Sequence, residues 1–119
     1  MAEFELTKRA FQFSVTVLKF FGAFQLNSEF RFLKIQHYRS VTSIGANITE
    51  GSAGSSRKQL AQYYSIALRS ARESSYWLKL INSVFSELEK TKMESIIAEC
   101  EAIIRILGKS VNSLKTSTK

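Results

Sequence analysis

An all-α fold, an antiparallel up-down-up-down four-helix bundle, follows from three observations. Apolar residues recur at alternating steps of four and three through four long stretches, the spacing that puts them on one side of a helix. Proline is absent, so nothing forces those stretches to break. No segment alternates apolar and polar residues long enough to make a strand. The joins between stretches are short, which favours antiparallel neighbours. A chain of 119 residues supports one core, and a single domain over 1–119 is expected.

The first helix is expected over 3–25. Leu6, Ala10, Phe13, Val17, Phe20 and Phe24 form its stripe, and Phe11, Leu18 and Phe21 widen it enough to touch more than one neighbour. The second should span 28–50, capped by Asn27 or Ser28, with Phe30, Leu33, His37, Val41, Ile44 and Ile48 inward; Gly45 permits a bend or a close approach. The third should span 56–88. Ser56 and Gln59 fit a capping box, and Leu60, Tyr64, Ala67, Ala71, Ser74, Leu78, Ile81 and Phe85 make an unbroken stripe, with small residues at 67, 71 and 74 for close packing. The fourth should span 92–114, opened by a second box, Thr91 and Glu94, and carrying Ile96, Cys100, Ile103, Leu107, Val111 and Leu114. Helix three has a second apolar stripe, Tyr63, Ile66, Trp77, Leu80 and Val84, more than a lone bundle must bury. Another subunit would cover it.

The formal charge is +7 and the pI near 9.8. That excess suits a polyanionic partner. It is uneven: residues 31–79 hold eight bases against two acids, while 80–101 hold two bases against five acids. On helix three, Lys58, Gln62, Ser65, Arg69, Arg72, Tyr76, Lys79 and Ser83 step by four and three opposite the Leu60 stripe. Four cations on one face could meet successive phosphates, and Tyr76 could stack on an unpaired base. Arg39 adds a cation on helix two.

The single Cys100 forms no intramolecular disulfide and reads as a reduced core residue. No apolar run approaches a membrane span, and the acidic start Glu3, Glu5 is unlike a secretory signal, so a cytoplasmic protein without membrane contact is expected. No cofactor or metal site is expected: aspartate is absent, and neither a glycine-rich phosphate loop nor a carboxylate–histidine cluster occurs. An RNase reading would rest on Arg31 and His37. Six residues on a helix separate their side chains by about 120°, and His37 falls on the apolar stripe, so no catalytic residue is assigned.

The segment Ala46-Asn47-Ile48-Thr49-Glu50-Gly51 closes helix two. Glu50 sits where the helix dipole disfavours an anion, so the first amides of helix three, Arg57 or Arg72 should compensate it. Asn47 and Glu50 are expected to fasten the connection to helix three, with Gly51 in the left-handed conformation that ends the helix. Glu73, between Ser70 and Trp77, should be partly buried and paired.

This segment, together with Ser70-Ala71-Arg72-Glu73-Ser74-Ser75-Tyr76-Trp77-Leu78, resembles the four-helix-bundle proteins encoded in intervening sequences of bacterial large-subunit ribosomal RNA genes. It is also similar to the accessory variability determinant of diversity-generating retroelements. Gln36, Arg39, Ser43, Ile44, Ala46, Asn47, Ile48, Glu50, Gly51, Ser56, Ala67, Ser70 and Glu73 fall on positions the family favours. Gly45 stands where a proline is common and Gly54 where an arginine usually follows. The resemblance implies a four-helix bundle assembled as a homopentamer, and by analogy docking to a reverse transcriptase. Residues and resemblance together point to a non-enzymatic, basic oligomer binding RNA, DNA or a ribonucleoprotein through Lys58, Arg69, Arg72, Tyr76, Lys79 and Arg39. A protein–protein scaffold for an acidic partner is the alternative.

Overall fold

The computed structural model describes residues 2–54 and 56–116, with side chains from Glu5 onward. Four helices follow one another: α1 Ala2–Gly22, α2 Ser28–Gly51, α3 Arg57–Val84 and α4 Lys90–Thr116. No strand occurs among the described residues. α1 packs on α2, α2 on α3 and α3 on α4, and α4 closes the circuit on α1. Those neighbours make the up-down-up-down bundle, 49 × 22 × 20 Å.

The expected stripes form the core, with adjustments. Leu6, Ala10, Phe13 and Val17 are buried, but the inward position then moves to Phe21, leaving Phe20 and Phe24 half-buried. α1 does touch two neighbours, α2 and α4, and Phe21 is buried, but Phe11 (63% exposed) and Leu18 (41%) face outward. In α2, Leu33 is half-buried while the other five stripe residues are buried. All eight stripe residues of α3 are buried, as is Cys100, whose thiol burial pushes up to about 11.

The helix ends show what periodicity misses. α1 stops at Gly22 rather than 25: the Ala23 and Phe24 amides tighten onto Phe20 and Phe21. Lys34 of α2 donates to the carbonyls of Phe24 (3.0 Å) and Phe21 (3.5 Å), a cation at the negative end of α1. Asn27 caps α2, accepting from the Phe30 amide at 2.8 Å, and the Ser56–Gln59 box is present in both directions. α3 ends at Val84 rather than 88, because Phe85 turns into extended backbone that delivers Phe85 and Leu88 to the core. The expected Thr91–Glu94 box does not form. Glu89 takes that role, accepting from the Thr91 and Lys92 amides at 3.2 and 2.8 Å, and the helix starts before Thr91.

The seam between α2 and α3 combines small residues with hydrogen bonds. Ala67, Ala71 and Ser74 are completely buried. Ser43 Oγ and Ser70 Oγ lie 2.8 Å apart, and Asn47 donates to both the carbonyl (2.8 Å) and the hydroxyl (3.1 Å) of Ser43. Beyond α2, Ser52 Oγ meets the Tyr64 hydroxyl at 3.2 Å. Gly51 does not adopt the left-handed conformation expected of it; Gly54 does, with φ +84°. Gly51 is helical, and its reason is space: a Cβ there would lie 2.8 Å from Tyr63 Cβ and 3.2 Å from Leu60 Cδ1. Gly45 approaches α1 less tightly, its nearest would-be contact being Ala10 at 3.8 Å.

His37 is completely buried on this seam, Nε2 lying 2.8 Å from Ser74 Oγ and the ring edge-to-face with Phe21. Nδ1 has no hydrogen-bond partner. Burial pushes its pKa down to about 4.

Gly51→Ala should destabilise the protein by about 1–3 kcal/mol through overpacking. Gly108→Ala, where a Cβ meets nothing within 4 Å, should be neutral or stabilise by up to about 1 kcal/mol; denaturant midpoints distinguish the two. Because the unfolded histidine takes its proton at higher pH than the folded one, the His37 contribution is intact above pH ~6.5. It should be lost progressively as pH falls from there to about 4, and saturate below. Unfolding curves of the native protein and His37→Gln between pH 7 and 4 should therefore converge as pH falls.

Candidate nucleic-acid interface

Burying Leu60, Ala67, Ala71 and Leu78 obliges the other side of α3 to face water. Lys58, Gln62, Arg69, Arg72, Tyr76, Lys79 and Ser83 are exposed there, with Ser65 partly so. Lys58, Arg69 and Arg72 have no ion-pair partner among the described residues. Lys79 differs: its Nζ lies 3.0 Å from a Glu101 oxygen of α4, which also accepts from Ser75 Oγ at 2.7 Å. The Ser75 hydrogen bond, then that of Lys79, holds the Glu101 carboxyl below its ordinary range. Positive charge on α3 is therefore strongest over Lys58, Arg69 and Arg72 and weaker at Lys79. Arg39 is exposed on α2, a different helix from the row.

Tyr76 is 61% exposed, and its ring meets that of Trp77 edge-to-face at 5.2 Å. Trp77 Nε1 donates to Glu73 at 3.0 Å. Glu73 is exposed, not partly buried, and its partner is an indole rather than a cation. Beside the N-terminal half of the row, Ala61, Gln62, Ile66 and Leu114 line a groove of about 740 Å³ with Lys58, Arg69 and Lys115.

The other motif residues act differently from expectation. Glu50 is exposed and its carboxylate forms no ion pair among the described residues, so neither Arg57 nor Arg72 compensates it. Solvent screens the unfavourable dipole instead. Its backbone carbonyl accepts from Ala53 at 3.3 Å in the turn that follows. Asn47 does join α2 to α3, but through Ser43 and Ser70 in mid-helix rather than at the loop. Ser43 was recognisable only by resemblance, since a lone serine on a helix carries no sign of its partner. The Glu101 contact had no sequence signal at all.

The RNase arrangement does not form. Arg31 is exposed, whereas His37 is sealed in the core, where no substrate reaches it. Among the described residues, no three histidine, cysteine or acidic side chains come together as a metal site. No described helix is long and apolar enough to cross a membrane.

The second stripe of α3 splits. Tyr63 packs beside Gly51, Trp77 and Leu80 are half-buried, and Ile66 and Val84 stay exposed at 42% and 57%.

The comparisons agree with this architecture. A protein of unknown function from the S23 ribosomal protein family of Bacteroides thetaiotaomicron, solved by crystallography, is similar with a TM-score of 0.81 and 28% identity. The similarity covers 94% of this chain and 99% of that one. No curated protein matches. The profile of the 23S rRNA-intervening sequence proteins matches residues 2–109, and with four helices in bundle order the chain belongs to that family.

Proposed function

We propose that this protein is a non-enzymatic, self-associating bundle that binds nucleic acid or a ribonucleoprotein through the outward face of α3. The observation that carries this reading is the row Lys58, Arg69 and Arg72, exposed and without carboxylate partners among the described residues. A basic helix that merely keeps a bundle soluble is usually laced with acidic side chains at neighbouring turns. Of the row's four cations only Lys79 has an ion-pair partner among the described residues, and that partner comes from another helix. Phosphates would satisfy the remaining cations and release counterions in doing so.

Self-association enters through exposed Ile66 and Val84 and half-buried Leu80, one apolar side of α3 beside the basic one. A homopentamer is the form suggested by the family resemblance. In a closed ring each basic face recurs about the axis, so weak phosphate contacts add through multivalency.

Fluorescence anisotropy of labelled RNA and DNA over a salt series tests the reading. Three phosphate contacts predict a log–log slope of roughly −2 to −3 per bound face. Arg69→Glu with Arg72→Glu should weaken binding at least tenfold, with mass by light scattering unchanged. No binding of either nucleic acid at low salt would favour a scaffold that recognises an acidic protein.

A further inference from the structure

We propose that the α3 face prefers single-stranded nucleic acid to duplex, with Tyr76 as the platform on which an unpaired base stacks. This rests on the nucleic-acid reading above and specifies its ligand. Tyr76 stands between Arg72 and Lys79, the one aromatic ring of that row, and is 61% exposed. It is held in place: Trp77 contacts it edge-to-face at 5.2 Å, and Trp77 is itself tethered to Glu73 at 3.0 Å. A ring already ordered loses less freedom on stacking than an unsupported tyrosine.

The charge distribution points the same way. Near Tyr76, Lys79 is neutralised by Glu101, and Glu73 adds a carboxylate one turn away, so Arg72 is the main attraction for phosphate. That end of the row offers little to a phosphate-only partner. It offers an aromatic face to a base, and only an unpaired base can use it, since paired bases are stacked within their own helix. The other end, with Lys58 and Arg69, holds the backbone without reading base pairing. Charge thus secures either kind of strand, and Tyr76 rewards one of them.

Binding of a single-stranded RNA, the same sequence as single-stranded DNA, and duplexes of matched length should be measured for the native protein, Tyr76→Ala and Tyr76→Phe. Tyr76→Ala should weaken both single strands roughly tenfold, the scale of one lost base stack, and change duplex binding less than twofold. Tyr76→Phe should retain native affinity. Trp77 is the only tryptophan, and its fluorescence should respond to single strands and not to duplex. Equal effects of Tyr76→Ala on single strands and duplex, or no effect on either, would overturn the preference while leaving the basic-face reading intact. Failure of the native protein to bind any of these probes would overturn both.

Discussion

Close approach of α2 and α3 is the constraint on which the rest of the molecule depends. Ser70 and Ser74 on one helix and Gly51 at the end of the other keep the side chains small where the two meet. At that distance, Ser43 meets Ser70 and His37 meets Ser74 within hydrogen-bond range. Polar groups withdrawn from water are costly without partners, so the half-buried Ser43–Ser70 pair and the buried His37–Ser74 pair favour one register of the two helices. Register then decides which residues of α3 face outward. Had α3 turned by one residue, Arg72 and Arg69 would have rotated about 100° toward a neighbouring helix.

The polar motif is thereby architectural, and the proposed site lies on the opposite side of the helix it positions. Asn47 and Ser43 work inward through Ser70. Glu50 stays in water. α4 contributes a second adjustment through Glu101, which ties Ser75 and Lys79 and shifts the unpaired charge toward the N-terminal half of α3. The result is a face graded from cationic at Lys58 and Arg69 to aromatic at Tyr76.

Much of this was legible in the sequence, because helix periodicity is local. The four helices, the buried stripe of α3 and the Ser56–Gln59 box all follow from residues within a turn or two of each other. What escaped depends on tertiary contact. Thr91 and Glu94 satisfy the capping pattern, yet Glu89 accepts from the Thr91 and Lys92 amides from two and three residues upstream. Phe24 continues the α1 stripe, but the helix ends at Gly22 and Lys34 from the next helix takes the Phe24 carbonyl. Gly51 looked like a helix terminator and is instead a contact point, a distinction made only by Tyr63 and Leu60 from α3. The exposed row was visible as spacing, while the pairing of Lys79 required α4 to be in place.

The most direct test of this division between an inward motif and an outward site is a chemical-shift map of the labelled protein with a short single-stranded RNA added. The account predicts perturbations centred on Lys58, Arg69, Arg72 and Tyr76, with Ser43, Asn47 and Glu50 unmoved. Shifts concentrated on Asn47 and Glu50, or on α1, would contradict it.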